Sequence, residues 1–445
     1  MSEAEVQTDW LPLDNAAKIY PSTASEESPA EFRIAFTLKE PVRLLWLQQA
    51  LEGIMPRFPY FQVHLRRGFF WYYLQRSEVV PKVELMRNVP ASIISVKERT
   101  APLIRVSARE KSVAVDFSHI LTDGNGGTRF VLSLAAEYMR RSGVEVEDHP
   151  NVLRPGEPPH PEEFEDAHRK SFEKGVLQPE KTPPAYHIPG RPSKKNARTR
   201  RFRILKATIP VDKILQLAKQ NRVTLTEYLA ATYMYSLIQI YQREERRRSG
   251  PHHGFPQRQS RRKKYSIIRL EVPVDMRRYK PSKTMRNFSL FLSPEIDMKL
   301  GDFNFEEVLK HMHHHIQLLK NDKQLGRQIA RNVGSELNPF IRFMPLFVKD
   351  MVLSSVYSRL GEALHTGVLS NLGSVQVPPP LEARLASMHF DLNPNHVMKK
   401  ACGVLSFKGN LIVSFTSVIE NRELEQIFFS HLTGRGVPVT IEELQ

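Results

Sequence analysis

The 445-residue chain has a single cysteine, Cys402, which excludes an intramolecular disulfide and any zinc cluster built on cysteines and fits a reducing compartment. It has no run of about 18 apolar residues, so no stretch reads as a membrane-spanning helix. The nearest candidate, residues 341–353, is interrupted by Arg342, Lys349 and Asp350. Residues 1–10 carry acidic side chains and no apolar segment, so no secretory leader is legible and a soluble, cytoplasmic protein is expected. Acidic residues are outnumbered, 48 against 64 Lys and Arg, for a formal net charge of +16. Such an excess draws polyanions: nucleic acid, an anionic membrane surface or a polyphosphate-bearing cofactor. Apolar content of 41%, with 9% aromatics, is ample for packed cores, and the length suits two domains or one enzyme of two subdomains.

One stretch concentrates chemistry. Val113, Val115 and Phe117 alternate with Ser112, Ala114 and Asp116 as in a strand, and Val131, Leu134, Ala135 and Tyr138 share one face of a helix. Between them runs Ser118-His119-Ile120-Leu121-Thr122-Asp123-Gly124-Asn125-Gly126-Gly127. His119 therefore stands where a strand stops, on a glycine-rich entry to a helix, and imidazole is the side chain suited to proton transfer near neutrality. Asp123 lies four residues on, where a carboxylate could orient the ring. Gly124 fits a turn that needs positive φ or close backbone approach.

Periodicity divides the chain into residues 1–150, a proline-rich and basic linker over 151–200, and residues 201–445. In the first part, Phe32, Ile34, Phe36 and Leu38 alternate as a half-buried strand, and Pro41 opens a helix burying Leu44, Leu47, Leu51 and Ile54. Strands are expected at 61–65 and 69–75 about the turn Arg66-Arg67-Gly68, the aromatic cluster Phe69 to Tyr73 forming sheet core and sheet edge rather than a stacking platform for bases. A hairpin over 103–117 delivers the chain to His119. Beyond the linker, Thr224-Leu225-Thr226-Glu227 is a capping box opening a buried helix, and a basic insertion occupies 243–264. Strands follow around 268–274, 288–292, 367–371 and 402–415, and helices around 305–316 and 424–428. The class is mixed α/β. The run His311-Met312-His313-His314-His315 places His311 and His315 one helical turn apart, but a third ligand is wanting, and no metal is expected. The basic insertion carries no zinc-finger or RNP-type motif, so a nucleic-acid partner is not expected.

The H-x-x-x-D-G pattern His119 to Gly124, with its preceding strand and following helix entry, resembles the chloramphenicol acetyltransferase-like superfamily, which includes condensation domains of peptide synthetases. The chain looks most like that superfamily's microbial alcohol acetyltransferases, the likeness running from Trp10 to the last helix. The resemblance implies two similar subdomains, each a mainly antiparallel sheet with helices, with an active-site channel between them. It implies an acyltransferase that takes an acyl group from acyl-CoA, a co-substrate rather than a permanently bound cofactor, to a small alcohol, an amine or a lipid-like acceptor. His119 would be the general base, with no covalent enzyme intermediate. Asp123 would turn from the histidine to pair with an arginine, Arg277 or its neighbour Arg278. Ser289 or a nearby backbone N–H would be an oxyanion donor, and Asn371 would line the channel. The 10–21 segment resembles the superfamily's start, which lies against the active site; an amphipathic lead-in is the alternative.

Two departures matter. Ser118 stands where peptide-forming condensation domains have a second histidine, which favours ordinary O-acyl transfer, and the plant enzymes' D-F-G-W-G is absent, which argues against a plant-type enzyme. The alternatives are a condensation-type enzyme fed by a carrier-protein thioester, a basic nucleic-acid-binding protein, and a non-catalytic acyl-CoA-binding scaffold.

Overall fold

The computed structural model describes residues 9–25, 28–86, 101–175, 182–191, 202–249, 265–356 and 362–444. Residues 250–264 of the basic insertion, and 176–181 and 192–200 of the linker, lie outside them.

Among the described residues three sheets form. A five-stranded sheet runs Leu385–Leu392, Glu31–Leu38, Ser112–Ser118, Ile104–Arg109, Glu84–Leu85, antiparallel except for the last pair. A small sheet pairs Trp10–Pro12 and Val63–Arg67 with Tyr72–Arg76. An eight-stranded sheet carries the second half, with Gly367–Ser374 parallel to both its neighbours and the other pairs antiparallel. Two apolar cores result. One lies between the first sheet and the helices Leu44–Ile54 and Gly124–Arg141; the other lies under the helices Leu225–Ser249 and Phe305–Leu319.

The subdomains are joined by more than the linker. Leu385–Leu392, in the 201–445 part by sequence, hydrogen-bonds along Glu31–Leu38 and becomes an outer strand of the first sheet. Glu31–Leu38 is therefore paired on both edges, and its two faces are buried instead of one. The linker is anchored as well: Glu163 is buried, taking two bonds of 2.7 Å from Arg57 and one of 2.8 Å from Tyr60.

Two local expectations are corrected and a third holds. The first helix begins at Leu44 rather than near Pro41, because Lys39 and Val42 use their N–H groups on Arg384 and Glu110; Leu44 is consequently exposed. The turn of the small sheet is Gly68–Trp71, closed by Gly68 N–H to Trp71 C=O at 3.1 Å. That puts Phe69 and Phe70 on an exposed turn instead of in a sheet. The Thr224–Glu227 box closes reciprocally, at 2.9 and 3.3 Å, and the helix after it is buried from Tyr228 to Leu237 with few exceptions.

Candidate active site

His119 follows the strand Ser112–Ser118 directly, and its N–H donates to Ala30 C=O at 2.9 Å. The ring is half-buried between aromatic neighbours: Tyr20 stacks on it with centroids 5.4 Å apart, and Phe32 lies tilted at 4.8 Å. Tyr20 opens the short helix Tyr20–Thr23, so the 10–21 segment does lie against the motif. Burial holds the His119 pKa below the ordinary histidine value; the Asp123 carboxylate, the Thr122 backbone and the Asn287 side chain only partly offset it. At neutral pH the ring is an uncharged imidazole.

Asp123 does not orient that ring. It is the N-cap of Gly124–Arg141, accepting from the N–H groups of Asn125 and Gly126 at 3.2 Å each. Its other oxygen takes Arg277 Nη1 and Phe288 N–H, both at 2.8 Å. Arg277 also bonds Asp275 at 3.0 Å and the carbonyls of Thr284 and Arg286. Burial opposes both charges, yet each holds the other ionised: the Asp123 pKa lies below, and that of Arg277 above, its usual value. The pair spans the seam between the subdomains, and Asn125 Nδ2 to Asp275 at 3.1 Å adds a second tie. Of the two arginines offered by the sequence, it is Arg277 that pairs with Asp123.

The segment 284–288 grips the loop from the other side. Asn287 Nδ2 donates to His119 C=O at 2.8 Å and to Asp14 at 3.1 Å; Thr122 Oγ1 donates to Met285 C=O at 2.7 Å. Gly124 has no positive φ. Its requirement is space: a Cβ there would meet Leu372 Cδ2 at 2.4 Å. Gly126 is tighter still, its Cβ falling 2.2 Å from Thr122 Oγ1 and 2.4 Å from Met285 C=O.

The remaining candidates are separated. Ser289 pairs with Asp275 across the strands Ser289–Leu292 and Ile267–Asp275. By alternation it points away from the core that receives Leu290 and Leu292, on the same side as the exposed Phe291. Asn371 is engaged elsewhere, donating to Thr226 Oγ1 at 3.0 Å and accepting Gly373 N–H at 2.9 Å; Leu372 is the residue of that stretch that reaches the motif. His311 and His315 both contact the Glu295 backbone and His313 bonds Glu227. Among the described residues no group of three His, Cys, Asp or Glu could hold a metal. A cavity of about 270 Å³ lined by Glu165, Lys170, Phe172 and Lys280 contains none of the motif residues.

Glu271 was not singled out from sequence. It lies on the seam-facing side of Ile267–Asp275, in register with Asp275 and opposite in orientation to the buried Leu270 and Val272. Burial pushes its carboxyl up to about 7. The Tyr20 hydroxyl, itself raised by burial, feels Glu271, Asp14 and Asp123, so Glu271 shares the neighbourhood of His119. Glu271 flanked by Leu270 and Val272 in an alternating strand was the available signal.

No family model and no curated protein matches the sequence. Solved structures do match in fold. TRI101 of F. sporotrichioides, complexed with coenzyme A and T-2, superposes with a TM-score of 0.60 at 10% identity, covering 98% of this chain and 100% of that one. The epimerization domain from the third module of tyrocidine synthetase B gives 0.57 at 11% identity, covering 96% and 95%. The wax ester synthase/diacylglycerol acyltransferase from Marinobacter aquaeolei VT8 gives 0.52 at 11% identity, covering 96% and 100%. Likeness at such identity speaks to architecture, and over 96–98% of its length this chain has the two-subdomain fold of the chloramphenicol acetyltransferase-like and condensation-type proteins.

Proposed function

We propose that the protein is an acyltransferase in which His119 deprotonates an alcohol, or an amine, as it attacks an acyl thioester, with acyl-CoA as donor. The observation that carries this is the placement of His119: half-buried at the end of its strand where the two halves meet, with Asp123 turned away into Arg277, in a setting whose burial favours the neutral ring. A base must be uncharged to accept a proton, and a positioned imidazole contributes roughly 10² to 10⁴ in rate. The attacking oxygen loses its proton to His119 as its bond to the thioester carbon forms. The tetrahedral intermediate then collapses, the C–S bond breaks, and the thiolate leaves with the proton from the imidazolium. The acyl group never rests on the protein. Ser289 or a neighbouring N–H at the seam is assigned the developing oxyanion.

Ser118 in place of a second histidine, together with coenzyme A in the TRI101 structure, favours a CoA donor over a carrier-protein thioester. The test is thiol release from acetyl-CoA and longer acyl-CoAs against a panel of alcohols and amines, wild type beside His119→Ala. Acceptor-dependent release that the substitution abolishes is expected. Release that is absent from wild type with every donor, or equal in the two proteins, refutes the reading.

A further inference from the structure

The aromatic residues that the sequence suggested were sheet core, and the apolar run too broken to cross a membrane, meet on one face. The turn Gly68–Trp71 packs on the helices Pro339–Arg342 and Leu346–Val356: Leu346 N–H donates to Phe69 C=O at 2.9 Å, Phe70 and Phe343 rings meet edge-to-face at 6.2 Å, and Lys349 Nζ donates to Phe70 C=O at 2.8 Å. Lys349 is itself buried and sits 3.5 Å over the Trp71 ring, which pins turn and helix together. Outward from this platform point Phe69, Phe70, Phe340, Phe343, Phe347 and Met351, with Phe340 87% and Phe69 72% exposed. At about 180 Å² for each such side chain fully exposed, their exposed fractions amount to on the order of 700 Å² of apolar surface. That exceeds what a soluble surface carries without a partner.

The charges around it choose the partner. Arg67 and Arg342 are exposed at its edge, the latter over the Phe343 ring at 5.9 Å. The acid there, Asp350, pairs with Arg67 and also takes Tyr72 and Ser22, so that ion pair is neutral and Arg342 leaves the edge net positive. A second copy would bring the same positive edge against itself, and the whole chain carries +16. An apolar face with a positive edge matches an anionic headgroup layer over acyl chains. Place matters too. Ser22 Oγ bonds Asp350 at 2.7 Å, and Ser22 belongs to the short helix Tyr20–Thr23, whose Tyr20 stacks on His119. The apolar face is thus one short helix away from the proposed base.

We propose that this face docks on an anionic membrane surface and delivers a membrane-borne, lipid-like acceptor to His119; the second half rests on the acyl-transfer reading, the docking does not. The helix Leu346–Val356 has 11 residues, so it would lie on the membrane rather than cross it.

The experiment is co-sedimentation of the full chain with vesicles of phosphatidylcholine alone and with one-quarter phosphatidylglycerol, at low and high salt. Wild type is expected to pellet with the anionic vesicles, less so at high salt. Phe340→Asp combined with Phe347→Asp, both at exposed sites, should lower partitioning at least about tenfold, and the milder Met351→Ser should fall between. Wild type left in the supernatant with anionic vesicles overturns the proposal, as does a double variant that pellets like wild type. A wild-type dimer that the double variant disperses, without vesicle binding, assigns the face to a second copy and overturns it too. Thiol release with a water-soluble alcohol and with a vesicle-borne long-chain alcohol, run in parallel, separates the two readings: docking without release from either acceptor removes the reaction, and turnover without docking removes the membrane.

Discussion

If Asp123 shapes the loop rather than orienting His119, its replacement should be costly in stability and cheap in chemistry. Asp123→Asn keeps an oxygen to cap Asn125 and Gly126, and Arg277 keeps Asp275 and the carbonyls of Thr284 and Arg286. Breaking a buried pair costs about 3–5 kcal/mol when the survivor is stranded; here it is not, and about 2 kcal/mol is expected. Arg277→Met is the harsher change. It leaves the carboxylates of Asp123 and Asp275 facing one emptied place with no guanidinium between them, so the full 4–5 kcal/mol or so applies. Urea and thermal unfolding followed by circular dichroism would rank the two. Thiol release, scaled to the folded fraction, should fall less than about tenfold in Asp123→Asn, whereas an orienting triad carboxylate would cost about 10⁴. Losing the carboxylate should also move the acid limb of the pH–rate profile lower, since Asp123 raises the His119 pKa. A 10⁴-fold loss in a protein of unchanged stability, or an Asn variant less stable than the Met variant, would refute the reasoning.

His119→Ala should cost about 10² to 10⁴ in kcat, and the wild-type acid limb should lie below the ordinary histidine value; a limb above it would contradict the buried setting. Glu271, with a folded pKa of about 7 against 4.5, keeps its proton where the unfolded chain has lost it, so stability falls as pH rises from about 4.5 to 7 and stays lower above that window. Glu271→Gln should therefore match wild type near pH 4.5 and exceed it at pH 8 by up to roughly 3 kcal/mol; a difference independent of pH in melting experiments would count against this. Gly126→Ala meets a hydroxyl already bonded to Met285 and that carbonyl itself, and should cost about 3 kcal/mol. Gly124→Ala meets only the movable Leu372 side chain and should cost under about 1 kcal/mol; equal melting temperatures for the two would refute the distinction. Asn287→Asp places a carboxylate beside Asp14 and removes the donor to His119 C=O, so it should be less stable than Asn287→Ala at pH 8, with the gap narrowing on acidification as one carboxyl protonates; a gap that widens toward low pH would show that the two acids do not meet.

What could be read from the sequence is what neighbours along the chain decide. The strand before His119, the helix after it and the box at Thr224 are local periodicities and local hydrogen bonds, and they stand where the residues put them. The Asp123–Arg277 pair spans 154 positions and entered through the resemblance, not through spacing. Asn287 under the His119 carbonyl, Tyr20 on its ring and Glu271 on the facing strand are contacts of the folded chain, with no signature in one dimension. Phe69 and Phe70 mislead for a related reason. Aromatic side chains favour pleated surfaces, but the turn closes at Gly68, where a Cβ would strike Trp71 C=O at 2.6 Å, and the two rings are carried outside the ladder.

The seam is also where the two halves cease to be separable. Leu385 and Phe390 are buried in the first core although they come from the second half, and Gly403, which leaves no room for a Cβ 2.2 Å from Phe390 C=O, lets the two sheets cross closely. Cutting the chain at 200 would strip Glu31–Leu38 of a partner along its length, opening an apolar edge of the kind that pairs with other chains. It would at once remove Asn287 and Arg277 from the His119 loop. The loop's geometry is thus imposed jointly, by strand and N-cap from one side and by the 284–288 backbone from the other. A loop held in this way keeps His119 in place only while the seam is closed, so on the proposed acyl-transfer reading substrate would reach it along the seam rather than by parting it.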